Sequence, residues 1–168
     1  MKDEPEQNTH AHLIELLASF DTAMLVTRGG DGALRARPLS LSDQHDQQRL
    51  YFATSVDSPK VGEIQDDPDV LITLQDSKRY VSITGTATIT RERSLIDRLW
   101  REPWKIWFPE GKDDPALCLV VVRPRAAEYW DQGGVKGIKY LFEMAKAYAT
   151  GTAPESGASS NNQKLRFP

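Results

Sequence analysis

From Tyr80 to Thr90 the chain alternates without a break: Val81, Ile83, Gly85, Ala87 and Ile89 fall on one side, and Tyr80, Ser82, Thr84, Thr86, Thr88 and Thr90 on the other. A period of two sustained that long marks a half-buried β-strand. Its length predicts a strand bent around a small barrel, with Gly85 easing the curve. Runs of the same kind predict strands at Ala23–Arg28, Ala33–Leu41, Arg49–Ala53, Val70–Gln75, Leu117–Pro124 and Ala127–Trp130. The GGDG sequence at Gly29–Gly32 reads as a hairpin turn between the first two. In Ala33–Leu41 the alternation sets Arg35, Arg37 and Leu39 against Leu34, Ala36 and Pro38. Pro38 has no ladder donor, which places this strand at an edge or at a bulge.

Helical spacing is rarer. Leu13, Leu16, Leu17 and Phe20 recur as one face of a helix that starts at Thr9, a suitable N-cap, and ends near Ser19. A short helix is predicted over Ser58–Gln65, stopped by Asp66–Pro68. A charged helix over Arg91–Arg101 turns Leu95, Ile96, Leu99 and Trp100 inward, and a last one covers Ile138–Tyr148. Residues 1–8 read as a flexible lead-in. The apolar-poor stretch 150–168 reads as a disordered tail, which leaves one domain over 9–149. Short strands in hairpins with peripheral helices predict a mainly β fold, a small and mostly antiparallel barrel.

Composition narrows the function. A chain of 168 residues can bury a real core, and 39% hydrophobic with 27% charged residues fits a globular protein. The net charge of −3 argues against a nucleic-acid binder, which carries a basic surplus. No apolar run approaches the length that spans a membrane, and the polar MKDEPEQNTH start has no secretory core. The single cysteine, Cys118, lies in LCLVVV as a small hydrophobe, so no disulfide framework is expected; the cytoplasm is the expected location. His10, His12 and His45 lack metal-ligand spacing, and no metal is expected. There is no GxSxG elbow or dinucleotide fingerprint, and no catalytic residue can be named.

One stretch carries candidate chemistry. Between Arg35 and Lys60, two strands lead into the hydroxyl pair Thr54 and Ser55, then into a helix start at Asp57 and Ser58 with Lys60 in the first turn. A helix N-terminus is a poor place for a cation and a good one for an anion. The pattern makes sense if a phosphate sits there, held by helix amides, hydroxyls and an arginine from the neighbouring strand. The plain alternative is a surface lysine beside an ordinary helix cap. Trp100, Trp104 and Trp107, with Phe108, read either as core and interface residues or as an aromatic cap over a flat ligand.

The segments RARPL (Arg35–Leu39), YFATS (Tyr51–Ser55), SPK (Ser58–Lys60), DPDVLITLQD, YVSITGTATI, WFPEGKDDP (Trp107–Pro115) and AAEYWD (Ala126–Asp131) occur in one order. In that order the chain resembles the pyridoxamine 5′-phosphate oxidase-like, FMN-binding split-barrel superfamily, in its bacterial general stress protein branch. The resemblance implies a six-stranded antiparallel split β-barrel of Greek-key type that forms a homodimer, with flavin in clefts between the subunits. It implies FMN, with FAD or F420 as alternatives, and a flavin-dependent oxidoreductase or else a non-catalytic flavin carrier or sensor. Arg35, Ala36, Arg37, Pro38 and Leu39 would run beside the flavin. Arg37 and Lys60 would meet its phosphate with Thr54 and Ser55, and Phe52 and Ala53 would support the cleft. Tyr80 and Ser82 would come from the other subunit, and Trp107 or Phe108 would cap the ring. The stretch Gln132–Phe142 lacks the family's RLHDR-type motif, which speaks against vitamin B6 oxidase activity.

Overall fold

A computed structural model of the chain describes residues 12–42, 49–131 and 162–167. The expected lead-in, the Thr9 cap, the Gln132–Phe142 stretch and the helix at Ile138–Tyr148 lie outside the described residues. Helix α1 covers 12–18. The strands are β1 Thr22–Arg28, β2 Leu34–Ser40, β3 Leu50–Ser55, β4 Asp69–Gln75, β5 Arg79–Thr90, β6 Leu117–Asp131 and β7 Asn162–Arg166, with helices α2 Pro59–Asp66 and α3 Arg93–Leu99. The strands form one antiparallel sheet in the order β2-β1-β4-β5-β6-β3, and β7 pairs with β6.

The β1–β2 hairpin forms where the glycines lie. Gly32 N donates to Gly29 O at 2.8 Å and Gly29 N to Ala33 O at 2.9 Å. Gly32 sits at φ +79°, a left-handed conformation that costs glycine nothing. β2 is at an end of the strand order, as Pro38 predicts. The other end is β3, and the two ends approach where Ser42 N donates to Tyr51 O at 3.1 Å.

Two expectations are corrected. The strands at Leu117–Pro124 and Ala127–Trp130 are one 15-residue strand, β6. Pro124 does mark an irregularity, but it is a bulge: Thr84 pairs with Ala126 and Gly85 with Pro124, so Arg125 is the extra residue. Gly85 is what permits it, since a Cβ there would stand 2.3 Å from Arg123 O. The tail expected to be disordered over 150–168 contains β7. Its Leu165 is 7% exposed and joins the core, and Phe167 packs against that core, so the alternation of two apolar residues anchors it. Among the described residues the sheet therefore has seven strands rather than six.

Burial follows the sequence alternation. The inner face carries Leu25, Ile72, Leu74, Val81, Ile83, Phe52, Val120 and Val122, covered by Leu13, Leu16 and Leu17 of α1. On the other face of β3 and β6, a second core gathers Tyr51, Leu117 and Leu119 under Ile96 and Leu99 of α3, with Trp104 and Phe108. Each large apolar side chain removed from water stabilises the fold by ~1.5–3 kcal/mol before the entropy of ordering is set against it.

Candidate functional site

β3 ends at Thr54 and Ser55, and a turn brings the chain to Ser58, the N-cap of α2, with extended φ −70° and ψ 133°. Pro59 opens the helix, a position where its missing N–H costs nothing. Ser58 makes no side-chain cap bond. Its hydroxyl instead accepts from Lys60 Nζ at 2.5 Å, and Thr54 Oγ1 accepts from the same nitrogen at 3.0 Å. Lys60 is 8% exposed. Burial, and then the repulsion of Arg37, push its pKa below the ordinary 10.5. An ammonium has three donors, and two are spent on hydroxyls. Among the described residues no carboxylate lies within ion-pair distance of it.

Arg37 of β2 faces inward, opposite Leu25 in register. Its guanidinium meets Glu63 of α2 fork to fork: Nη1 donates to Oε2 and Nη2 to Oε1, both at 2.8 Å. Nη1 also donates to Thr27 Oγ1 at 2.9 Å, and the Thr27 hydroxyl donates to Glu63 Oε2 at 2.6 Å. Thr27 is 1% exposed, and the Glu63 side chain 11%. The bonds from Arg37 hold the Glu63 carboxyl below its ordinary 4.5. Of five guanidinium donors, three are spent. The Nε–H and the second Nη2–H remain without an acceptor among the described residues, side by side along one edge of the planar group.

Lys60, Glu63 and Ile64 stand on one face of α2, at i, i+3 and i+4. Ile64 enters the core, which seats the helix and delivers the two charged groups to the ends of β3 and β1. The outcome is a polar corner in which, among the described residues, Arg37 has a carboxylate and Lys60 has none.

The remaining expected residues divide by face. Arg35 shares the face of Arg37; Asp31 holds it at 2.7 Å within its own hairpin, and its Nε also stands 4.0 Å from Glu63 Oε1. Arg35 keeps the Asp31 carboxyl at a pKa of about 2. Leu39 packs against the core, and Ala36 and Pro38 point the other way, exposed. Thr54 and Ser55 point to opposite faces, as neighbours on a strand must. Ser55 Oγ accepts from Asp57 N at 3.2 Å, so Ser58 and not Ser55 is the second hydroxyl on Lys60. Phe52 is wholly buried and Ala53 packs under the second core. Tyr80 and Ser82 lie on the face of β5 turned away from the main core, with Tyr80 41% exposed. Within one chain they are not brought to Lys60. Phe108 is 4% exposed inside the second core, whereas Trp107 is 64% exposed, so of the two only Trp107 has an open ring face.

The edge of β2 adds backbone donors. The bonds Gly29 N to Ala33 O and Leu41 N to Asp21 O fix the ladder so that odd-numbered residues of β2 bond β1. Leu34, Ala36 and Ser40 therefore aim their N–H groups at the free side, with the donorless Pro38 between them.

Sequence reasoning missed Glu63 and Thr27. The signal was present: two arginines on an inward strand face require a counter-charge, and Glu63 stands one helical turn after Lys60. A second concavity of about 680 Å³ lies near α1, where His12 Nε2 meets Asp131 at 2.9 Å and Arg79 is held by Asp76. Its charged groups are largely spent on each other. No cluster of three or more His, Cys, Asp or Glu among the described residues could hold a metal ion, and no described helix is long and apolar enough to cross a membrane.

The family model described as pyridoxamine 5′-phosphate oxidase like matches residues 8–155. General stress protein 26 of Bacillus subtilis is 33% identical over 94 residues, which cover 53% of this chain and 66% of that protein. The chain thus spans just under two thirds of that relative. A solved structure of a candidate general stress protein 26 from Jannaschia sp. CCS1 superposes with a TM-score of 0.73 at 23% identity, covering 96% of this chain and 99% of the other. The general stress FMN/FAD binding protein of Xanthomonas citri superposes with a TM-score of 0.67 at 24% identity, covering 76% and 92%. At these identities the two structures speak for the fold.

Proposed function

The chain belongs to the pyridoxamine 5′-phosphate oxidase-like family, and from that premise we propose that it binds FMN and serves as a flavin-dependent oxidoreductase of the general stress type. The observation that carries this reading is the corner at α2. Among the described residues Lys60 is buried with no carboxylate partner, and it and Arg37 hold three N–H donors with no acceptor. Unused donors on a buried lysine and on a quarter-exposed arginine stand ready for an anion. A phosphate monoester, carrying between one and two negative charges and three acceptor oxygens, fits that deficit.

In this reading Lys60 and Arg37 hold the phosphate, while Thr54 and Ser58 keep the lysine extended toward it. The free-edge amides of Ala36 and Ser40 offer hydrogen bonds to the ring system, and Phe52 stiffens the strand behind the site. Bound flavin supplies the electron or hydride chemistry, and the protein supplies binding, orientation and exclusion of water. The protein works as a homodimer: Tyr80 and Ser82, on the outward face of β5, and the exposed Trp107 complete the site of a second copy. Cytoplasmic residence accords with the single, buried cysteine. Pyridoxamine phosphate is not the proposed substrate, because the Gln132–Phe142 sequence has no arginine fork for a second phosphate.

The test is a flavin titration followed by visible absorption and fluorescence quenching. Lys60→Ala should weaken FMN binding by about ten- to a hundredfold, the loss of one charge-assisted hydrogen bond, and leave the thermal transition cooperative. Unchanged affinity in Lys60→Ala and Arg37→Ala together would remove the corner as the phosphate site. Mass spectrometry of ligand released from purified protein separates FMN from FAD and F420. Reduction of the bound flavin by NADH or NADPH with turnover identifies an oxidoreductase; a flavin that stays oxidised identifies a carrier.

A further inference from the structure

Glu63 is the unexpected member of the corner. A carboxylate beside a proposed phosphate should oppose binding, since like charges repel. Yet it is built in with care: both oxygens are engaged by Arg37, one also receives the buried Thr27 hydroxyl, and only a tenth of the side chain is exposed. The contacts consume a particular set of arginine donors. Glu63 takes the end of the fork, one N–H from each terminal nitrogen, and Thr27 takes the second N–H of Nη1. What is left is the Nε–Nη2 edge, which matches two oxygens of a phosphate. A guanidinium gripped in this way cannot rotate to offer any other edge. The lysine next to it is held, among the described residues, by the hydroxyls of Thr54 and Ser58 and supplies a positive charge with no carboxylate partner there.

We propose that Glu63, with Thr27, is the positioning residue of the anion corner: it orients Arg37 so that a single bidentate edge faces the phosphate, and the affinity gained by orientation exceeds the repulsion it adds. This rests on the flavin reading above and assigns Glu63 a role through Arg37 rather than through contact with the ligand.

Charge and geometry make opposite forecasts, so substitution distinguishes them. Glu63→Asp keeps the charge but withdraws the carboxylate by one methylene, so it cannot close the fork on Arg37. FMN affinity should fall by about tenfold, the scale of one misaligned charge-assisted hydrogen bond, while riboflavin, which has no phosphate, should bind as it does to the parent protein. Glu63→Gln removes the charge as well as one acceptor and should also weaken FMN binding. Thr27→Val, nearly isosteric, should give a smaller loss in the same direction and guards against misfolding of the Glu63 variants, which thermal unfolding monitors. The proposal is overturned if Glu63→Asp leaves the ratio of FMN to riboflavin affinity unchanged, or if Glu63→Gln tightens FMN binding, which would make Glu63 a counter-charge alone. A parent protein that binds neither FMN nor riboflavin overturns the flavin reading itself and this role with it. A parent that binds both, with variants unaltered, removes only the role of Glu63.

Discussion

Lys60 and Glu63 sit one helical turn apart, and both are held below their ordinary pKa, the lysine by burial and the carboxyl by the bonds from Arg37. The pKa of Lys60 is depressed by burial and by Arg37. Below its folded-state value both folded and unfolded chains carry the proton. Between that value and the ordinary 10.5, the unfolded chain still holds the proton and the folded chain has released it, so stability rises with pH across this window. Denaturant titrations of flavin-free protein should show this rise, and Lys60→Met should abolish it. Cys118, pushed up to about 11 by burial, and Tyr129, also raised, pull stability down at the same alkaline end. The difference between parent and variant is therefore the quantity to read. Glu63 acts at the acid end: its contribution is complete above the unfolded value of 4.5 and is lost as pH falls through the lower folded value. A plot of Tm against pH for Glu63→Gln should decline less on the acid side than the parent, since Asp31 and Asp76 keep acid-labile contributions of their own.

At the scale of elements, the bulge joining β5 and β6 makes the sharpest forecast. A methyl group at Gly85 would meet backbone, the carbonyl of Arg123, which cannot swing aside as a side chain would. Gly85→Ala should cost about 2–4 kcal/mol, in the range for overpacking against an unyielding neighbour, measured as a shift in urea midpoint at constant slope. β7 supplies a second forecast. Leu165→Ala should cost about 2–3 kcal/mol, as for other large-to-small core changes, although it lies in the stretch that composition marks as unfolded. The two elements show what the sequence discloses and what it conceals. The alternation in Tyr80–Thr90 and the GGDG turn are local properties, so strand and hairpin were legible from them. β7 was not, because Leu165 and Phe167 are too few to make a pattern, and only the waiting edge of β6 gives them a purpose. The division of β6 at Pro124 failed for the same reason: pairing along β5 on both sides of the bulge holds the strand together.

For the whole molecule, the candidate site was half legible. Lys60, Arg37 and Thr54 could be foreseen from charge placed against a helix dipole, but Glu63 and Thr27 enter only when α2 folds across the ends of β1 and β2. Tyr80 and Ser82, on the outward face of β5, make no hydrogen bond or ion pair with Lys60, Arg37 or Glu63 of their own chain. If they serve a second copy, mixing Lys60→Ala chains with Tyr80→Ala chains produces heterodimers in which one site carries both changes and the other neither. Such mixtures should regain parent-like FMN affinity in up to half the sites of each heterodimer, whereas either variant alone remains weak. Failure of the mixture to regain any tight site, with heterodimers verified by native mass spectrometry, would place the whole site within one chain.

Pro38 has a last consequence. Among the described residues the far side of β2 is unpaired and offers the amides of Leu34, Ala36 and Ser40, and such a border ordinarily invites another polypeptide to zip along it, the first step toward fibrils. The gap at Pro38 interrupts that row, so an intruding strand meets a missing rung midway. Two or three contacts from a small molecule need no unbroken row. The same border can therefore stay open to a compact guest while remaining resistant to self-templated aggregation.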